Sequence, residues 1–176
     1  MLCLYQNLDS GGRRGGFGWK RILREAANAG IVSDALRHFD GQRYELASFV
    51  VMPNHVHVLF HPLGEHRLED ILKSWKGFTA REINKRTGRK GALWQEEYWN
   101  RLVRSERHFW KYAGYIRENP GTAGLREGFL VWPEENGARV FEPVGGGLGE
   151  PGLESPGSVV GGQESPRSFL RGAFMR

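Results

Sequence analysis

The spacing of apolar positions changes several times between Trp19 and Pro120, and each change predicts an element. From Trp19 to Phe39 the spacing is helical but broken near Gly30, with Ser33 placed to cap a second segment and Gly41 just past its end. Arg43 to Met52 is rich in Val, Phe and Tyr and predicts a strand; MPN turns the chain, and His55 to Phe60 predicts a second strand antiparallel to it. Leu68, Ile71, Leu72, Trp75, Phe78 and Ile83 mark a helix that stops near Gly88. Leu93 to Val103 is extended and aromatic, a third strand. Ser105 can cap a last helix running to Asn119, ended by Pro120 and Gly121. Together these elements predict an α+β fold, a ferredoxin-like antiparallel sheet covered by helices.

The two ends read differently. Residues 1–20 are expected to be an irregular N-terminal segment, with a possible short strand in MLCLYQNL before the flexible SGGRRGGFG. Residues 21–142 should hold the folded domain. Residues 143–176 are Gly, Pro, Ser and Glu with few large apolar side chains, too little to offset ordering entropy, and are expected to be a disordered tail.

Charge narrows the partners. The chain of 176 residues carries +5, but Lys73 through Lys111 holds eleven Lys and Arg against four acids, a local +7. Trp75, Phe78, Trp94, Tyr98, Trp99, Phe109 and Trp110 are interleaved with those cations, a mixture suited to a phosphate backbone with bases to stack on. The competing reading is a solvated basic helix face above ordinary core aromatics. The single cysteine, Cys3, excludes a disulfide framework and a Cys-rich zinc site. With no bilayer-length apolar stretch and no signal-peptide pattern, the expectation is a soluble, cytoplasmic protein without a membrane partner.

The candidate chemistry starts at His55 and His57. On a strand both imidazoles point to one face, roughly 6.6 Å apart at the backbone, while Val56 and Val58 point to the other. Two neutral imidazoles on a rigid strand begin a metal site. On the last helix, Phe109, Tyr112, Ala113 and Ile116 form an apolar stripe. Lys111, Tyr115 and Asn119 form a polar one, successive members about 40° apart. Asn119 could supply a neutral oxygen as a third ligand, and Lys111 could hold a backbone or stabilise developing charge. A tyrosine becomes a useful nucleophile where a metal polarises the electrophile. His61 shares the strand parity but reads as rim. His38, His66 and His108 read as surface residues, and Asp34, Asp40 and Asp70 lack a paired-carboxylate pattern.

Four blocks, VVMPNHVHVLF, KSWKGFTAREIN, LWQEEYWNR and YIRENPGTAGL, occur in this order between roughly Ala29 and Leu125. In content and spacing they resemble the REP-associated tyrosine transposases, a branch of the single-tyrosine HUH transposases. The resemblance implies that His55 and His57 bind Mg²⁺ or Mn²⁺ with Asn119 as third ligand. It implies that Tyr115 attacks a single-stranded DNA phosphate, leaving a 5′-phosphotyrosine and a 3′-OH, with Tyr112 the competing candidate. The implied partner is hairpin-forming, single-stranded DNA of the repetitive extragenic palindrome type, bound by a nucleoid-associated monomer or homodimer. Lys73, Lys76, Arg81, Lys85, Arg86, Arg89 and Lys90, with Lys111, are the candidates to grip its backbone. Trp94 and Trp99 are candidates to stack bases. Family members usually begin with a strand reading like YHVTFR; here only MLCLYQNL stands in that place. Without that strand the sheet would be incomplete, and the alternative is a hairpin-binding remnant that no longer cuts. A third reading is an unrelated metallohydrolase in which the His-x-His spacing is coincidental.

Overall fold

A computed structural model describes residues 1–9 and 19–133. The expectations for residues 10–18 and 143–176 lie outside the described residues. Five strands form one antiparallel sheet among them: β1 (Leu2–Asn7), β2 (Tyr44–Val51), β3 (His55–Pro62), β4 (Trp99–Leu102) and β5 (Leu130–Trp132), in the order β4–β1–β3–β2–β5. Three α-helices join them: α1 (Ala26–Arg37), α2 (Leu68–Thr87) and α3 (Glu106–Thr122). The first four strands and two helices follow β-α-β-β-α-β with β1 beside β3, the ferredoxin-like arrangement expected.

The sheet has two unlike faces. Leu4 and Leu8 of the N-terminal segment, Leu46, Phe49 and Val51 of β2, and Val56, Val58 and Phe60 of β3 pack with Val32 and Leu36 of α1 and with Ile71, Leu72, Trp75 and Ile83 of α2. Leu46 and Phe49 have opposite parity, so both can face this core only because the β2–β3 register shifts between Leu46 and Ser48. That irregularity also sends Val50 to the other face, opposite His57. Tyr44 and Trp75 join through a buried hydrogen bond, the Trp75 indole donating to the Tyr44 hydroxyl at 2.9 Å.

Several local expectations are corrected. The first helix breaks at Glu25, where a 3-10 segment, Trp19–Arg24, precedes α1. The side chain of buried Asn28 fixes that junction, donating to the Ile22 carbonyl at 2.9 Å. Gly30 continues α1, and Ser33 is a buried position inside it rather than a cap. In α2, Phe78 is exposed and Thr79 takes the buried place, its hydroxyl accepting from the Trp94 indole at 2.8 Å. Gly88 ends α2 as expected, in the left-handed conformation that glycine adopts without strain.

Only Trp99–Leu102 of the Leu93–Val103 stretch is strand. The preceding carbonyls are bound elsewhere: Gln6 donates to those of Gln95 and Glu97, and Lys76 to those of Gln95 and Glu96. Pro120 lies inside the last turn of α3 instead of ending it. The N-terminal segment is the largest change. Leu2–Asn7 is an interior strand, paired with β3 on one side and β4 on the other. β5, which the periodicity does not predict, is only three residues long and pairs with the end of β2.

Candidate active site

The site lies on the face of the sheet that the main core leaves to α3. Strand alternation puts Tyr5 and Asn7 of β1 on this face, and antiparallel pairing sets Tyr5 opposite His57 and Asn7 opposite His55. The imidazoles of His55 and His57 meet edge to face at 5.0 Å between ring centroids. Ser105 caps α3, accepting from the His108 backbone N–H at 3.3 Å. Phe109, Ala113 and Ile116 anchor the helix by burial. Turning that stripe inward brings Tyr115 over β3, where its ring meets His57 edge to face at 5.2 Å.

Asn119 links these groups. It is buried, and its Nδ2 lies 3.4 Å from Nε2 of His57. It also lies close enough to His55 and Tyr115 to act on their protonation. Asn54 acts from the other side, its Oδ1 2.9 Å from Nδ1 of His55. If Nδ1 carries the proton and donates it there, Nε2 of His55 keeps its lone pair for a ligand.

Burial governs the protonation of the site. It lowers the His55 pKa to about 4, although Asn119 opposes the shift. Burial, with the neighbouring His55, holds His57 well below the ordinary value. Both imidazoles are therefore neutral near pH 7, the state that binds metal. Burial raises the Tyr115 phenol, Asn119 opposes it, and the residue is a neutral phenol until its proton is drawn away.

His55 and His57 could hold a divalent ion only with a third donor. No group of three His, Cys, Asp or Glu capable of holding a metal occurs among the described residues. The third ligand here would be the amide of Asn119. As placed, its nitrogen faces His57; turning the amide by 180° presents the carbonyl oxygen instead. With the amide so turned, two imidazoles and one oxygen would be a mixed donor set, which Mn²⁺ would accept more readily than Mg²⁺, a cation that favours oxygen donors.

The structure brings His55, His57, Tyr115 and Asn119 together, with Lys111 exposed one turn before Tyr115. It does not bring the other expected DNA-binding cations to them. Lys73, Lys76, Arg81, Lys85 and Arg86 lie on α2, and Arg89 and Lys90 just beyond it, in the layer on the opposite face of the sheet. Lys76 is bound to carbonyls and Arg86 pairs with Glu25. Tyr112 is half-buried next to the core stripe, and His61 is half-buried at the far end of β3. His38, His66 and His108 are exposed, as expected. Sequence reasoning missed Tyr5, whose ring lies 5.1 Å from that of His55 and 4.7 Å from that of His57, its hydroxyl donating to Asn7 Oδ1 at 2.6 Å. It missed Asn54 as well. The available signals were the alternation of Tyr5 with Asn7 and the adjacency of Asn54 to His55.

A sheet carrying a histidine pair beneath a tyrosine-bearing helix defines the class, and the chain belongs to the family of IS200-like transposases, whose pattern matches residues 30–119. A protein of Haemophilus influenzae described as a REP-associated tyrosine transposase is 23% identical over 100 residues, covering 51% of this chain and 57% of that one. The chain thus spans a little over half the length of that curated relative. A solved structure of a REP-associated tyrosine transposase bound to a REP hairpin matches with a TM-score of 0.53 and 20% identity, over 70% of this chain and 67% of the other. At that identity the likeness is one of fold. A crystal structure of a Deinococcus radiodurans protein described as a transposase matches at 25% identity and a TM-score of 0.45, over 66% of this chain and 88% of that one. The resemblance to REP-associated tyrosine transposases drawn from the four sequence blocks is borne out.

Proposed function

We propose that this protein cuts and rejoins single-stranded, hairpin-associated DNA, with Tyr115 as the nucleophile. The observation that carries the reading is the meeting of the Tyr115 ring with His57 at 5.2 Å, with Asn119 Nδ2 3.4 Å from His57 Nε2. His55, His57 and Asn119 would hold Mg²⁺ or Mn²⁺, which when bound supplies charge to polarise the scissile phosphate. Tyr115 Oη attacks phosphorus and loses its proton; the tyrosyl O–P bond forms as the P–O3′ bond breaks, and the departing 3′-oxygen takes up a proton as a hydroxyl. The 5′-phosphotyrosine conserves the bond energy, so a DNA 3′-OH can reverse the step without ATP. β1 completes the sheet beneath the histidines, which favours this reading over that of a remnant unable to cut.

The test is a Tyr115→Phe variant incubated with hairpin-bearing single strands and Mn²⁺. Covalent protein–DNA adducts formed by the wild type should vanish while hairpin binding survives. Persistent nicking in the variant would show that another group, Tyr112 or water, is the nucleophile. A wild type that forms no adduct would leave only DNA binding.

A further inference from the structure

Four large apolar side chains are exposed among the described residues: Phe78, Trp99, Leu102 and Trp110. Phe78 is on α2, in the layer away from Tyr115. Trp110 is on α3, but its indole N–H donates to the Glu106 carboxylate at 3.3 Å, and an acid there repels phosphate. Leu102 pairs with Leu2, which packs against the main core, so it leans to that side. Trp99 differs from all three. It pairs with Tyr5 across β1–β4, and Tyr5 pairs with His57, so Trp99, Tyr5 and His57 form one row across the sheet on the Tyr115 face. Its ring centroid lies 5.8 Å from that of Tyr5, and the side chain remains 38% exposed. Trp94, the other stacking candidate, is only 8% exposed and hydrogen-bonded to Thr79, so it belongs to the core.

A cation accompanies the aromatic. Arg101 is two residues beyond Trp99 on the same strand, hence on the same face, opposite Cys3 and near Tyr112. The acids preceding β4, Glu96 and Glu97, lie close enough to Lys76 to act on its charge, which places them toward the α2 layer. β4 is the outer strand of the described sheet on this side, four residues long and exposed throughout. A short, charged edge is poorly suited to pairing with a second sheet, whereas an exposed indole beside a guanidinium suits a base and its phosphate.

We propose that β4 is the track for the single-stranded segment beside the cleaved phosphate, with a base stacked on Trp99 and Arg101 meeting the backbone one pleat along. This rests on the reading of Tyr115 as nucleophile and deepens it by locating the substrate strand. Specificity for the single strand follows, because a paired base has no face to offer.

The test uses the full chain carrying Tyr115→Phe, so that DNA is bound but not consumed, and an oligo-dT probe with one 2-aminopurine. The Trp99-containing protein should quench the probe on binding. Adding Trp99→Ala should abolish the quench and weaken single-strand binding about tenfold. Trp99→Phe should retain most of both, and Trp110→Ala should change neither. Arg101→Ala should weaken binding and flatten its salt dependence by roughly 0.7 in the log–log slope. Unchanged quenching and affinity in Trp99→Ala would overturn the inference, as would a wild type without affinity for the probe. So would a Trp99→Ala protein that loses self-association but keeps DNA affinity, since β4 would then be a contact between copies. Adduct formation separates this inference from the reading it rests on. If the Tyr115 protein forms no adduct while Trp99→Ala still loses single-strand binding, the track stands and the cleavage reading falls. If adducts form normally while Trp99→Ala binds as before, cleavage by Tyr115 stands and the track falls.

Discussion

His55 and His57 are held neutral by burial, and this has a consequence for stability. In the unfolded chain each imidazole titrates near 6.5, whereas in the folded, metal-free protein His55 titrates at about 4 and His57 also well below its ordinary value. As pH falls from about 6.5 toward 4, the unfolded state binds protons that the folded state refuses, so stability falls with pH. Above 6.5 the contribution is fully present. Urea midpoints of EDTA-treated protein should therefore drop between pH 7.5 and pH 5, and the drop should be smaller in His57→Gln. Equal drops in the two proteins would show that His57 is not held neutral by its surroundings. The sequence placed both histidines on one face correctly. It could not show Tyr5 beside them, because Tyr5 reaches them only through strand pairing with a distant part of the chain.

At the scale of elements, α3 combines a structural stripe and a chemical one. Phe109, Ala113 and Ile116 fix its rotation, and that rotation brings Tyr115 and Asn119 to β3. Its start depends on the Ser105 cap. Ser105→Ala should cost about 1 kcal/mol, seen as a lower urea midpoint at unchanged m-value, while Ser105→Asp should keep most of the stability. An unchanged midpoint in the alanine variant would mean that the 3.3 Å bond contributes nothing. The elements with a strong period were legible before the fold was known. α2, β2 and β3 fell within a few residues of expectation because their apolar faces are continuous. β4 is shorter than its apolar pattern suggests because, between Trp94, which bridges Leu8, and Trp99, the backbone carbonyls are bound by the Gln6 and Lys76 side chains instead of the ladder. Pro120 reads as a stop, yet it stands in the last turn of α3, where it forgoes the bond to the Ile116 carbonyl and the helix ends two residues later at Thr122.

For the whole molecule the decisive element is β1. It brings Tyr5 to the histidines, gives β4 a partner and closes the gap that the sequence left between the strands and the first helix. Cys3, on this strand, reports on its docking. Burial pushes its thiol up to about 12, and reagents attack the thiolate. Alkylation of Cys3 by iodoacetamide at pH 8 should be on the order of a hundredfold or more slower in native buffer than in urea. Equal rates would show that β1 is not held in the sheet. No helix among the described residues is long and apolar enough to cross a membrane.

The sequence by itself determined the α+β class, the turn that presents His55 and His57, and the spacing of Tyr115 and Asn119, because these depend on local periodicity and motifs only a few residues long. The tertiary structure decided which face of the sheet each group occupies. It gathered His55, His57, Tyr115 and Asn119, added Tyr5 and Trp99, and put the cations of α2 on the far layer. The physical reason is that a side chain's partners across a sheet are set by strand order, register and helix rotation, which sum over the packing of the whole molecule.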